Sequence, residues 1–216
     1  LHRRLLQMIA GVDLRQTTIP DKGWAQITEA VGKLDDLPIY IVDTPGLDYL
    51  SHRSSLRRLQ YEHGIELAFL DYLQIMGAPP SEDYSQKHHQ VHAAAQGLKD
   101  TAKILDVAVM TPSQTTKGTD KQGGRRPTLS DLREAGEEPT DVAIGLYRPE
   151  YYGQTMWPSG DSCLGQGLGI VAKQRNGPTG DTKLAWVEEQ VRWRPLEERK
   201  TAPQGDGASQ PNESPF

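Results

Sequence analysis

The stretch Glu66-Leu67-Ala68-Phe69-Leu70-Asp71-Tyr72-Leu73-Gln74 decides the fold. Leu67 to Leu70 is a short apolar run of the length expected for a strand buried on both faces. Asp71 follows at the strand's C-terminal end, where open α/β sheets bind ligands. A carboxylate is costly to bury without a partner or a metal. Asp71 therefore either caps a turn or holds a cation.

On the N-terminal side, residues 1–10 and 21–34 read as helices, with Asp21 as N-cap of the second. Pro38 to Asp43 reads as a buried strand closed by Thr44-Pro45-Gly46. Ser51 to His63 is a basic amphipathic helix ending before Gly64. On the C-terminal side, a polar loop at 77–85 precedes a long helix over 86–105. Val91, Ala94, Ala95, Leu98, Ala102 and Leu105 repeat there at helical spacing. Val107 to Met110 is a second apolar strand, ending in Thr111-Pro112-Ser113-Gln114. Residues 115–128 form a loop carrying Lys117, Lys121, Arg125 and Arg126 against Asp120.

A short helix or turn at 128–134, a strand at 142–147 and a long irregular loop at 149–167 follow. A strand at 169–172 and a hairpin of 183–187 with 191–194 close the domain. From about residue 196 the chain is almost free of apolar residues and is expected to be a disordered tail. Strands alternating with helices argue an α/β domain with a largely parallel sheet flanked by helices, with the hairpin adding antiparallel strands at one edge. The domain is expected over residues 1–195 and the tail over 196–216.

Composition bounds the function. The chain has 216 residues, 36% hydrophobic and 25% charged, and a net charge of −5. It is long enough to bury a core and has no global attraction for nucleic acid, so any such binding must be local. One cysteine, Cys163, excludes an internal disulfide framework and fits a reducing, cytoplasmic setting. Nothing beside it in sequence activates its thiol. No apolar run approaches the ~18 residues of a membrane span. The first residue is Leu1, and an excised domain or fragment is the expectation.

Three motifs fail their structural tests. Asp43-Thr44-Pro45-Gly46 resembles a GTPase switch, but the chain has no GxxxxGK[ST] loop and no NKxD. Gly165-Gln166-Gly167-Leu168-Gly169 precedes a strand instead of following one and opening a helix. His88 and His92 share a helix face at zinc-compatible spacing, yet no HExxH glutamate lies between them, and a solvated face is the simpler reading.

Four residues gather differently. Asp71, Gln114 and the pair Lys173/Arg175 each end a candidate strand. Parallel strands would set them along one edge. A carboxylate can hold Mg²⁺ through water, an amide can sense a phosphate oxygen, and two cations can neutralise phosphate charge. Two readings fit: a nucleoside triphosphatase lacking its phosphate cradle, or a structural edge of polar residues.

The strings LDYLQIM (70–76), TPSQ (111–114), LSDLREAG (129–136), LYRPEYY (146–152) and VAKQRNGPTG (171–180), in this order, resemble the C-terminal ATPase domain of DnaB-type replicative DNA helicases. PIYIVDTPGL (38–47) matches the segment before that family's Walker B strand. The resemblance spans about residues 1–194 and implies a RecA-like fold. It also implies a homo-hexameric motor moving 5′ to 3′ on single-stranded DNA with ATP and Mg²⁺, working in the primosome with primase and a helicase loader. By the resemblance, Asp71 corresponds to the Walker B aspartate that holds Mg²⁺. Gln114 is similar to the residue that couples the γ-phosphate to DNA. Lys173 and Arg175 are similar to the basic fingers reaching a neighbouring subunit's nucleotide. Arg133, Glu134 and Gly136 fall in the family's DNA-contacting loop.

The chain departs from the family pattern in several places. The phosphate loop and the water-activating glutamate, which the family places upstream of a segment like Leu1 to Ile9, are not in it, nor is the collar domain. The link Gly136 to Asp141 is short and contains Pro139. The leading expectation is a helicase domain truncated at its N-terminus and inactive alone. The alternatives are a non-catalytic relic or split-gene half acting as a subunit or DNA-binding module, and a RecA-like ATPase of the recombinase type.

Overall fold

In a computed structural model, residues 1–46, 48–77, 87–115, 124–135 and 137–196 are described. The side chains of residues 87, 88 and 133–135 fall outside that description, as do residues 197–216 of the tail expected at 196–216.

Helices α1 (His2–Ala10) and α2 (Asp21–Asp35) form a hairpin around Ala10, Ile27 and Ala30. Gly11 ends α1 in the left-handed conformation at φ 68°, which glycine adopts without steric cost. Asp21 lies inside α2, and Pro20 takes the N-cap position expected of Asp21. Helix α3 (Tyr49–His63) starts earlier than its apolar pattern suggested. Asp48 caps it, accepting the N–H groups of Leu50 at 2.8 Å and Ser51 at 2.9 Å.

Strand β1 (Leu67–Phe69) pairs in parallel with β2 (Ala108–Met110), Ala68 opposite Val109. Between them runs α4 (Lys87–Leu105), the crossover that a parallel pair requires. Its stripe Val91, Ala94 and Leu98 packs on Leu73 and Met76, and Leu105 joins Leu56, Ala68 and Val107. Gly97 is where α4 meets α3, since a Cβ there would collide with the Tyr49 side chain.

The second sheet is antiparallel throughout: β3 (Val142–Tyr147), β4 (Gln166–Gln174), β5 (Gly180–Val187) and β6 (Arg192–Pro195), in that order. The segment before β4 is less irregular than expected. It holds a 3₁₀ turn at Pro149–Tyr152, and Trp157 and Cys163 enter a core with Tyr147 and Ile170. Cys163 is fully buried, consistent with an inert thiol.

The expected strand at Pro38 to Asp43 does not form. Ile39, Tyr40, Ile41 and Val42 are 42–46% exposed. A strand needs a ladder partner, and β1 pairs only with β2 among the described residues. The parallel part is thus a single pair, covered by α4 on one face. On the other face Leu67, Phe69 and Met110 are exposed, and Val142, Ile144 and Leu146 of β3 are bare as well. Parallel sheets are ordinarily covered on both faces.

Candidate functional site

Parallel pairing of β1 and β2 brings their C-terminal ends together. The Leu70 N–H donates to the Met110 carbonyl at 3.0 Å, and the Leu73 N–H donates to the Pro112 carbonyl at 3.1 Å. Asp71, between these two bonds, is exposed and joined to Tyr72 by a cis peptide. Gln114 ends the adjacent segment and is also exposed. The two are placed through Gln74, which lies in the LDYLQIM string but had been assigned no role there. Its side-chain amide donates to Ser113 Oγ at 2.8 Å and accepts the Gln114 N–H at 3.2 Å. Among the described residues no group of three or more His, Cys, Asp or Glu gathers to hold a metal. A lone exposed carboxylate suits Mg²⁺, which keeps several waters and takes its remaining oxygens from phosphates.

Lys173 and Arg175 lie elsewhere. Strand β4 pairs only with antiparallel neighbours, so its C-terminal end sits beside the start of β3, with Gln174 opposite Val142 and Lys173 opposite Ala143. This corrects the expectation of one shared edge, which assumed parallel strands. The two cations face an open cleft lined also by His92, Glu137 and Glu138. Lys173 Nζ donates to the Glu137 carbonyl at 2.5 Å, and Arg175 Nη2 donates to the Glu138 carbonyl at 2.7 Å. Arg175 N–H donates to the Asp141 carbonyl at 3.0 Å, and Arg175 Nε lies 3.5 Å from Asp141 Oδ1. The other Asp141 oxygen is ion-paired with Lys99 of α4. The Lys99 hydrogen bond, working against burial and helped by the charges of Arg175 and Lys103, holds the Asp141 carboxyl below its ordinary pKa.

Arg133 and Glu134 belong to a 3₁₀ segment, Leu129–Ala135, packed against α4. Their side chains and all of Gly136 lie outside the described residues. The start of the segment is firmly held. Asp131, 3% exposed, accepts the Thr128 N–H at 2.7 Å and the Thr128 hydroxyl at 2.9 Å, and is ion-paired with Arg125. The bond from the Thr128 N–H to the Asp131 carboxylate is one half of a capping box. Burial acts to raise the Asp131 pKa, but the bonds from Arg125 and Thr128 outweigh it and bring it down to about 2. Arg126 pairs with Asp181 at 2.5 Å. Two of the four loop cations named from sequence are therefore engaged with carboxylates, while Lys117 and Lys121 lie outside the described residues. His92 approaches Glu138 at 3.7 Å, and the His88 side chain is not described.

A carboxylate and an amide close a parallel strand pair, two cations stand at the end of an antiparallel strand, and the comparisons show the fold to be that of RecA-like ATPase domains. The domain resembles a solved ATPase domain with a TM-score of 0.78 and 26% identity, over 90% of this chain and 69% of that one. It matches equally well a structure of a DnaB-like replicative helicase studied with its primase interactions, covering 47% of that chain. Residues 1–195 match the family model of the DnaB-like helicase C-terminal domain, and the chain belongs to that family. It is 36% identical over 190 residues to the replicative DNA helicase DnaC of Bacillus subtilis, and 34% identical over 190 residues to the replicative DNA helicase DnaB of Geobacillus stearothermophilus. Both alignments cover 87% of this chain and 40% of the relative's length. Among the described residues no helix is long and apolar enough to cross a membrane.

Proposed function

We propose that the domain is the motor part of a 5′–3′ replicative helicase that hydrolyses ATP between the subunits of a homo-hexamer and draws single-stranded DNA through the ring. The observation that carries this is the separation of Asp71 and Gln114 from Lys173 and Arg175 within one chain. Cations carried on a separate sheet from the metal carboxylate suit a nucleotide held across a subunit boundary.

In this reading Asp71 orients hydrated Mg²⁺ on one subunit and Gln114 senses the terminal phosphate oxygen. Lys173 and Arg175 of the adjacent subunit approach the phosphates and stabilise the charge that builds up as the terminal phosphoryl group departs. ATP bound with Mg²⁺ supplies the free energy. Arg133, Glu134 and Gly136 grip the DNA backbone, so binding is sequence-independent and falls with salt. Primase and a loader are the expected partners, and the cytoplasm the expected compartment. In this reading the phosphate cradle belongs to residues other than these 216, which contain no GxxxxGK[ST] loop.

The test is ATP turnover with and without single-stranded DNA. The 216-residue chain alone should give none. In the full-length protein carrying this domain, subunits with Arg175→Ala should be inactive alone. Mixing them with subunits lacking a functional phosphate loop should restore part of the turnover. No restoration at any ratio would rule out action across the interface.

The absence of the phosphate loop from these residues also suits a non-catalytic subunit or DNA-binding module, and recovered turnover in the mixture decides against it.

A further inference from the structure

Asp141 makes three contacts, two with Arg175 and one with a second cation, Lys99. Its carbonyl accepts the Arg175 N–H at 3.0 Å, its Oδ1 faces Arg175 Nε at 3.5 Å, and its Oδ2 is tied to Lys99. The Glu138 carbonyl holds the far end of the same guanidinium at 2.7 Å. Arg175 follows the last residue of β4, where sheet hydrogen bonding no longer directs the chain. Its side chain is long and half exposed, so an unbraced Arg there would populate many rotamers.

The brace reaches further than β4. Lys99 sits on α4, whose Val91 and Leu98 pack on Leu73, two residues after Asp71. The guanidinium is thereby anchored to the helix that supports the turn carrying the metal carboxylate.

We propose that Asp141 is a positioning residue for Arg175. It fixes the guanidinium before a neighbouring nucleotide arrives, and Lys99 fixes Asp141. This rests on the reading of Arg175 as a group acting on that nucleotide. A group fixed in advance loses less rotamer freedom when it engages its target. Asp141 touches no reacting atom, so its removal should lower kcat and leave the Michaelis constant for ATP nearly unchanged.

The experiment uses the full-length protein, assembled, with single-stranded DNA present. Asp141→Asn should lower kcat about tenfold with less than a twofold change in KM for ATP. Asp141→Glu, which keeps the charge, should recover part of the loss. Lys99→Met, which leaves both Asp141 and Arg175 in place, should lower kcat about threefold and keeps the test open should Asp141→Asn not fold. Each variant combined with Arg175→Lys, whose ring keeps a residual turnover to be read, should be no slower than Arg175→Lys alone. Multiplying losses, or a full-speed Asp141→Asn ring, would overturn the positioning role while leaving Arg175 as the acting group. An Arg175→Ala ring of undiminished turnover would instead overturn the reading of Arg175, and the brace with it.

Discussion

Gln74 and Gln114 hold each other in both directions: the Gln74 side-chain amide accepts the Gln114 N–H at 3.2 Å and points its own N–H at the Gln114 carbonyl at 3.4 Å. The same amide binds Ser113 Oγ. This clasp fixes Gln114 beside the strand end that carries Asp71, although the two segments are 40 residues apart.

Gln74→Met keeps the length of the side chain and removes the clasp. Its hydrogen bonds are partly exposed, so the expected loss is about 1 kcal/mol of stability, read from a urea melt of the isolated domain. In the assembled protein the larger effect should be on DNA stimulation of ATP turnover, falling severalfold, because Gln114 is no longer held in register. Unchanged stimulation would remove Gln74 from the site.

Arg133→Ala should weaken binding to single-stranded DNA about equally for oligonucleotides of different sequence, and should lower the slope of log affinity against log salt by about 0.7, as loss of one phosphate contact on a single strand does. Fluorescence anisotropy at several salt concentrations checks both. A loss confined to some sequences would contradict backbone contact.

Asp131 is nearly buried and satisfied by three groups, so Asp131→Asn should cost about 1–3 kcal/mol. Its pKa in the fold is depressed to about 2 from the ordinary 3.8. The folded state therefore binds fewer protons than the unfolded chain between these values. The stabilisation is complete above about pH 4 and disappears as pH falls towards 2. Acid unfolding of the wild type should steepen in that window, and the Asn variant should lack the extra steepness.

His52 of α3 is buried, and burial alone pushes its pKa below the ordinary 6.5. The unfolded chain takes up the proton more readily, so stability is greatest above about pH 6.5 and declines as the solution is acidified through the depressed value. His52→Gln should flatten the thermal midpoint between about pH 7 and 5. A wild type insensitive to pH over that range would place His52 in contact with solvent.

What could be read from the residues themselves was whatever depends on local order. The stripe from Val91 to Leu105 foretold α4 because helical spacing is written within the helix. Asp71 and Gln114 came together because a crossover helix between two short apolar strands forces parallel pairing. The fate of Ile39 to Val42 was not legible in the same way, since an apolar run becomes a strand only if another strand accepts it. The placement of Lys173 and Arg175 turned on whether β4 pairs parallel or antiparallel, which no feature of VAKQRNGPTG states. Gln74 and Asp141 were missed for a related reason. Each is an ordinary polar residue until a partner some 40 or 34 positions away comes within hydrogen-bonding reach.

The uncovered side of the sheets changes what mutational tolerance reports in this domain. On the α4 side, replacing Ala68 or Leu98 by a charged residue would put an unpaired charge in the core and unfold the domain. On the other side Phe69 is 66% exposed, and Leu67, Met110, Ile144 and Leu146 are bare too, apolar surface of the kind that promotes association. Phe69→Glu in the isolated chain should leave folding intact and raise the concentration at which it stays monomeric. In a larger assembly the same change either passes unnoticed or disrupts a contact. Leu67 and Phe69 on one sheet and Ile144 on the other thus serve as reporters of whether each bare face meets water or protein.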